Sequence, residues 1–508
     1  MKHPMIRSRR VRYGGMTVSL TVTLIAALVL LNVIFSTLAR RYAWYIDMTP
    51  DRLYSVSDVC HDMISDVLGR AEDESDEPVK VEIIFAEDFT KYEPGSSGSY
   101  IYNTARELSD RHEQIELSWF DCWVEKSKAE ELGVKGAQNV VLRASNGQSR
   151  VFRHQELFVF EPGNTTSPIG YDGERVFATS LVSLLGGDRP LACFTVNHDE
   201  QFYDETFLYT VRDAGYDVTL IDLYYDDIPA DCELLVTYNP STDFIVADGV
   251  SEWSELDKLK EYLTDGGNYM VCLSANTPEL ANFDQFLAEW GVSVGRDYDE
   301  LTERSYAYMV KDASTALTSD GFTFLAEYAS EGHGAAITAD MTSSDFVSSV
   351  VFRDAAVLTV PDTYTETAAA TYQSGTRVRS DVFYASKDAA AFASGKQITS
   401  LTGAFALMSV TKDSATDARV TVISSTEFGS QPYLQSAVFG NADALLCALR
   451  EMGKEDVLIG LRYKPFAASV ISSITSAQKL HWTLCLTLVP VALVAGTATV
   501  ILVRRKYS

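Results

Sequence analysis

Polar residues that could bind a ligand or carry out catalysis cluster after three apolar, strand-like segments in the middle of the chain. The polar clusters are Asn197–Glu200, Asn239–Asp243 and Ser274–Thr277. In an open α/β sheet, ligands bind beyond the carboxyl ends of the strands, at the point where the strand order reverses. The pattern therefore predicts one crevice lined by His198, Glu200, Asn239 and Asn276. The alternative is that these four are ordinary turn and helix-cap residues.

Several kinds of catalytic site can be tested against these residues. His198 and Glu200 could supply metal ligands or a general base, but no second histidine lies at ligand spacing. Cys272 lies inside a strand-like segment, and no glycine follows it to build the tight elbow that exposes a nucleophile. A Walker A motif is absent, and Gly186-Gly187-Asp188 is too short to hold phosphates. The sequence therefore predicts no enzyme, no catalytic residue, no metal and no cofactor.

The crevice is then expected to serve recognition or scaffolding. An extracytoplasmic hydrolase that uses His198 and Glu200 remains an alternative. If both residues line a surface crevice, replacing them with alanine should leave folding nearly unchanged. If His198 is instead a buried structural residue, the same change should lower the melting temperature markedly.

The elements around these clusters predict an α/β domain over residues 173–300. Four apolar strands alternate with three helices, which implies a mostly parallel, doubly wound sheet of the flavodoxin or amidotransferase type. The predicted strands are 191–196, 217–223, 233–238 and 269–273. In the flavodoxin-like strand order, the first and third of these flank the crevice.

Residues 79–160 show a second α/β pattern, with strands at 79–85, 115–120, 139–143 and 150–152 and helices at 100–111 and 126–132. This order resembles a thioredoxin-like domain. The redox Cys-x-x-Cys pair of that fold is missing, since Glu87–Thr90 stands in its place. The resemblance therefore implies the fold without the oxidoreductase chemistry.

Two uncharged apolar segments, Met16–Leu38 and Leu480–Val503, are 23 and 24 residues long. About 20 such residues suffice to cross a bilayer as a helix. Both are predicted as transmembrane helices, and the basic tails beside them predict cytoplasmic termini. The chain is thus expected to be an integral plasma membrane protein with residues 40–479 extracytoplasmic. A cleaved signal peptide ending near Ala39 is the alternative for the first segment.

The predicted organisation then runs from end to end. It comprises a basic tail (1–15), a transmembrane helix (16–38), a juxtamembrane helix with an acidic linker (39–78), the thioredoxin-like domain (79–160), the doubly wound domain (173–300), a β-rich region (301–435), a closing helix and membrane lead (436–479), a second transmembrane helix (480–503) and a tail (504–508).

Composition narrows the possible partners. The formal net charge is −28, which disfavours binding to nucleic acid. The seven cysteines form no Cys-x-x-Cys pair, so neither a disulfide framework nor a zinc site is indicated.

Short segments along the chain, taken in order, resemble a known family. They are Asp47–Ser57, Gly173–Ser180, Cys193–Glu200, Asp222–Asp231, Tyr262–Gly267 and Phe439–Asn441. Together they are similar to the GldG-like (gliding motility-associated) auxiliary membrane components of ABC-2-type transporters. That family usually has Gly-His-Gly-Glu where this chain has Asn197-His-Asp-Glu200.

The resemblance implies a non-enzymatic, membrane-anchored accessory subunit of an ABC transporter. Its partners would be a separate permease, a separate ATPase and the lipid bilayer. The alternative is a stand-alone cell-surface protein that binds a peptide or a glycan in the α/β crevice.

Overall fold

The computed structural model describes residues 53–466 with short gaps, together with parts of 19–35. The gaps fall at residues 75–77, 94, 161–165, 187–188, 201–204, 248–253, 300–303, 343–347, 394–395, 437, 455–456 and 458. Met1–Lys464 forms one compact unit and Pro465–Ser508 another. Of the second unit only residues 465 and 466 are described.

The prediction of two membrane-spanning helices is wrong. In the part of the chain that the structure describes, no helix combines the length and the apolar character needed to cross a membrane. Residues 480–503 lie outside that part, as do the two tails, and 16–38 are described only in pieces. The finding also contradicts the predicted assignment to the plasma membrane.

The described strands are numbered in chain order. They are β1 (Val81–Phe85), β2 (Ile115–Trp119), β3 (Asn139–Ala144), β4 (Ser149–Arg153), β5 (Phe158–Phe160), β6 (Pro168–Tyr171), β7 (Leu191–Thr195), β8 (Asp217–Ile221), β9 (Cys232–Tyr238), β10 (Asn268–Cys272), β11 (Ser293–Val294), β12 (Arg296–Asp299), β13 (Arg304–Ala307), β14 (Met309–Lys311), β15 (Thr323–Leu325), β16 (Glu327–Tyr328), β17 (Val351–Arg353), β18 (Leu358–Thr359), β19 (Thr365–Ala368), β20 (Thr371–Ser374), β21 (Arg377–Tyr384), β22 (Ala390–Ala393), β23 (Lys396–Thr402), β24 (Ala406–Asp413), β25 (Arg419–Ile423) and β26 (Lys464–Pro465).

The described α-helices alternate with strands in the first half of the chain. They are Asp58–Glu74, Ser97–Arg111, Lys126–Glu131, Gly173–Leu185, Thr206–Asp213, Glu255–Thr264, Ala281–Glu289, Gly332–Ile337, Ala339–Thr342, Gln431–Leu434 and Asn441–Glu451. Short 3₁₀ helices occur at Phe89–Lys91, His154–Leu157 and Glu427–Gly429.

The first sheet has the order β2-β1-β3-β4. Strand β1 is parallel to β2 and antiparallel to β3, and β3 forms a hairpin with β4. The hairpin turns at Gly147, whose φ of 87° suits glycine. Each of these strands begins and ends within two residues of its predicted position. The thioredoxin-like assignment of this unit stays a prediction.

The second sheet contains five parallel strands in the order β8-β7-β9-β10-β25. In chain order this is 2-1-3-4-5, so the strand order reverses between β7 and β9. Strands β7, β9 and β10 are almost entirely buried because helices cover both faces of the sheet.

The fifth parallel strand, β25, comes from the segment predicted as a β-rich region, 301–435. Beyond β25 the sheet continues with antiparallel strands β24 and β21. Phe194 of β7, Val236 of β9, Leu407 of β24 and Ile423 of β25 lie in one hydrophobic cluster. The α/β unit and much of this region therefore share a single core.

Residues far apart in sequence meet at Glu174, near the start of the helix Gly173–Leu185. The Ser57 hydroxyl donates a hydrogen bond of 2.7 Å to the Glu174 carboxylate, and the Ser57 amide donates another of 3.1 Å. The Lys464 ammonium pairs with the same carboxylate. Glu174 is 5% exposed. We call Ser57, Glu174 and Lys464 the end clasp.

Candidate functional site

The predicted crevice is centred on a histidine held between two carboxylates. His198 Nδ1 lies 3.1 Å from Glu200 Oε1, and His198 Nε2 lies 3.2 Å from Glu255 Oε2. All three side chains are only 3% exposed. His198 is therefore buried, as the structural alternative expected, and its part in ligand binding stays a prediction.

The loop after β7 brings Glu200 back onto His198. Asn197 and Asp199 have φ angles of 83° and 54°, a left-handed conformation that Asn and Asp tolerate better than most residues. The turn places the Glu200 carboxylate 2.7 Å from the His198 amide, which donates to it. The Thr195 hydroxyl at the end of β7 donates a further hydrogen bond of 2.9 Å. The short loop is thus closed on itself by its own side chains.

The second carboxylate, Glu255, was not among the predicted site residues. It lies 57 residues further along the chain, at the start of the helix Glu255–Thr264. The Ser254 side chain caps that helix by accepting from the Asp257 amide. Glu255 also accepts a hydrogen bond of 2.8 Å from the Ile245 amide, which fixes the incoming loop against the helix. Its place at a helix start was the one available signal, because acidic residues are common there.

An aromatic ring covers one face of the imidazole. The ring centroids of His198 and Phe244 are 3.9 Å apart with planes at 13°, and Phe283 stacks on Phe244 at 4.5 Å. Both ring nitrogens and one ring face of His198 are therefore occupied by protein groups.

The hydrogen bonds decide the charge of this cluster. Burial alone would lower the pKa of His198, but its hydrogen bonds to Glu200 and Glu255 raise that pKa to about 9. Burial likewise favours the neutral form of each carboxyl, yet the hydrogen bonds from His198 leave the pKa of both Glu200 and Glu255 lowered. At neutral pH the cluster is an imidazolium between two carboxylates. The protonated imidazole donates from both ring nitrogens, one to each carboxylate, and both of its donors are thereby used inside the cluster.

Asn239 and Asn276 lie at the same end of the sheet but have different roles. Asn239 is half-buried, and its side-chain oxygen accepts hydrogen bonds from the Ser274 and Thr277 hydroxyls at 3.2 and 3.4 Å. It thereby joins the loop after β9 to the loop after β10. Asn276 is exposed, and its amide donates to the Ser274 hydroxyl at 3.2 Å.

The loop after β9 also rests on the loop after β7. The amides of Ser241 and Thr242 donate to the His198 carbonyl at 2.8 and 3.0 Å. The Thr242 hydroxyl donates to Asp199 at 2.8 Å. Above this framework stand exposed polar side chains, which we call the loop rim: Asn197, Asp199, Ser241, Thr242 and Asn276.

Metal clusters and cysteines are two further kinds of catalytic group in the described part of the chain. There, no group of three or more His, Cys, Asp or Glu side chains is placed to hold a metal ion. Cys272 is 1% exposed, and burial raises the pKa of its thiol, so the reactive thiolate is disfavoured.

Comparisons with known proteins add little. Neither a protein-family model nor a curated protein matches the sequence. The structure is similar to the mmIFT52 N-terminal domain, with 14% identity and a TM-score of 0.37, over 52% of this chain and 97% of that one. It is also similar to PurLQS from Thermotoga maritima, with 11% identity and a TM-score of 0.26, over 53% of this chain and 99% of that one. Both TM-scores lie below 0.5, so neither likeness indicates the fold or the function of this chain.

Proposed function

We propose that this chain is a non-enzymatic accessory subunit of an ABC transporter that recognises or scaffolds its partners through the loop rim. One observation carries the proposal. Both ring nitrogens of His198 are bonded to Glu200 and Glu255 inside the protein, while the loops that this cluster holds present exposed polar side chains at the surface. Such an arrangement suits binding better than turnover.

The stiffness of the loops supports a binding role. The loop after β7 is bonded to the loop after β9 through the His198 carbonyl and Asp199, and the loop after β9 is bonded to the loop after β10 through Asn239. Loops that are already fixed lose less conformational entropy when a partner binds. The rim is thus prepared to contact another protein without rearrangement.

The identity of the partners rests on the family resemblance. It implies an ABC permease and an ABC ATPase, because the sequence carries no Walker A motif of its own. A stand-alone protein that binds a peptide or a glycan is the competing proposal, since the amide and hydroxyl groups of the rim also suit hydrogen bonding to such ligands.

Co-purification tests the proposal. Tagged full-length chain is recovered from its native cells under mild detergent, and the bound proteins are identified by mass spectrometry. We expect an ABC permease and ATPase with the unaltered chain, and much weaker recovery of both with Thr242→Arg and Asn276→Arg. Thr365→Arg, on the exposed strand β19, is the matched control and should not change recovery.

Two results would overturn the proposal. The first is recovery of the chain alone under several gentle conditions, which would favour the stand-alone binding protein. The second is full recovery of the transporter subunits with both rim variants, which would move the contact surface elsewhere.

A further inference from the structure

Strand β2 leaves one edge of the first sheet open. It is the outermost strand of the order β2-β1-β3-β4, and no described strand pairs with its other side. The Gln114 carbonyl accepts from Val81 and the Phe120 amide donates to Phe85, so the even-numbered residues of this strand bond to β1. Parallel ladders use alternate residues of a strand. The backbone groups of Leu117 and Trp119 therefore face outward.

Large apolar side chains stand beside this open edge. Trp119 is 43% exposed, Trp123 67% and Val124 77%. Their neighbours Phe120 and Cys122 are buried in the core of the unit, so the core is filled without the tryptophans. The Asp121 carboxylate accepts from the amides of Trp123 and Val124 at 3.0 and 3.2 Å, which holds the loop close to the strand end. Exposed tryptophans of this kind are typical of binding hot spots.

The acidic charge around this edge indicates what kind of partner it fits. Residues 111–131 carry six acidic residues against three basic ones (Arg111, Lys126 and Lys128), a net charge of 3 − 6 = −3, and four of the acidic residues are Glu113, Glu116, Asp121 and Glu125. Lys80, just before β1, pairs with Glu116 at 3.0 Å, and the other carboxylates remain in excess. A second copy would bring the same acidic edge, in a chain of net charge −28, against the first. A basic segment is complementary to it.

We propose that β2 and the Trp123 loop form a docking edge for an extended, basic segment of a partner protein. The segment adds a strand beside β2 through the outward backbone groups of Leu117 and Trp119. Its apolar side chains pack on Trp119 and Trp123, and its lysines or arginines face the surrounding carboxylates. This mode is β-strand addition, in which the main chain supplies affinity and side chains supply specificity. The inference does not depend on the loop rim.

Peptide binding to the full chain tests the proposal. The probe is the labelled peptide Lys-Val-Lys-Tyr-Lys-Val-Lys, followed by fluorescence anisotropy. We expect it to bind, and we expect at least about tenfold weaker binding for two relatives: one N-methylated at alternate backbone amides, and one with glutamate in place of lysine.

Variants of the chain locate the site. Trp123→Ala and Leu117→Pro should each weaken binding of the basic peptide at least about tenfold. Tyr225→Ala removes another aromatic residue that is 77% exposed and should leave binding unchanged. Circular dichroism melts establish that each variant is folded. If Leu117→Pro unfolds the unit, Trp123→Ala still tests the site, because Trp123 lies in an exposed loop.

Three outcomes would overturn the proposal. They are absence of peptide binding, equal binding of the N-methylated peptide, and unchanged binding by the Trp123→Ala variant. Self-association of the chain, seen by sedimentation and abolished by Leu117→Pro, would instead assign this edge to a second copy.

Discussion

At the scale of single residues, the imidazolium of His198 connects three parts of the α/β unit. It pairs with Glu200 in its own loop and with Glu255 on a helix, and its carbonyl holds the loop after β9. Removing the His198 side chain should destabilise the fold mainly because the carboxylates of Glu200 and Glu255 would then be buried without a cation.

We predict that His198→Ala destabilises the chain by about 3–5 kcal/mol, the range for breaking one partner out of a buried ion pair. Urea unfolding followed by circular dichroism measures the change. Asn276→Ala, in an exposed position of the same rim, should stay within about 0.5 kcal/mol of the unaltered chain. Equal effects of the two substitutions would show that the ion pairs do not stabilise the fold.

The same cluster predicts a dependence of stability on pH. The folded pKa of His198 is about 9, above its ordinary value near 6.5, so its contribution is complete below about 6.5 and is lost as the pH rises through 9. The difference in unfolding free energy between the unaltered chain and His198→Asn should shrink by about 3 kcal/mol over that interval. Urea unfolding at a series of pH values measures it.

The two carboxyl groups cause a loss of stability at low pH. Because the pKa of Glu200 and Glu255 is lowered on folding, their contribution is present above about 4.5 and is lost as the pH falls further. The cluster should therefore stabilise the fold most between about pH 4.5 and 6.5. A difference that stays flat from pH 6 to beyond pH 9 would contradict a charged His198.

At the scale of elements, β25 makes the segment after residue 301 part of the α/β core. It lies between β10 and β24 in the sheet, and its side chains share a cluster with those of β7 and β9. A substitution that removes packing in this segment should therefore destabilise the whole sheet.

We predict that Leu407→Ala, at a fully buried position of β24, costs about 2–5 kcal/mol and raises hydrogen exchange at Phe194 in β7. The exposed position Thr365 on β19 provides the control, since Thr365→Ala should change neither quantity. If exchange rose only within 301–435, the two parts of the sheet would unfold independently.

The sequence predicted the positions of strands and helices better than the tertiary contacts between them. Apolar runs such as those of β1 and β9 were placed within two residues, because strand periodicity is local. The pairing of Glu255 with His198 could not be predicted, since it depends on a helix 57 residues away. The place of β25 in the parallel sheet was missed for the same reason, because β25 comes about 150 residues after its neighbour β10. The two apolar end segments are long enough to predict membrane spans, but no helix in the described part of the chain is long and apolar enough to be one.

At the scale of the whole molecule, the end clasp joins Ser57 and Lys464, from opposite ends of the range 53–466, through Glu174. The side chains of Lys464 and Glu174 are 12% and 6% exposed, whereas the side chains of the surface pair Lys80–Glu116 are 66% and 61% exposed. Burial decides how much such a pair matters, because exposed pairs are screened by water and salt.

We predict that Lys464→Met costs about 3–5 kcal/mol and raises hydrogen exchange in the helix Asp58–Glu74, because Glu174 is left without its cation. Lys80→Met is the matched control, with an expected cost of about 0–1 kcal/mol. Hydrogen exchange with mass spectrometry gives both readouts. Similar costs for the two lysines would mean that the clasp is not a structural tie.

The late position of β25 also matters while the ribosome is still making the protein. Strand β10 is complete at Cys272, and its neighbour β25 is complete only at Ile423, about 150 residues later. At roughly 5–20 residues per second, the nascent chain spends about 8–30 s with an unpaired edge on a half-built parallel sheet. During that time the apolar residues of β9 and β10 lack part of their packing. The newly made chain is therefore expected to be a substrate for chaperones that bind before translation ends.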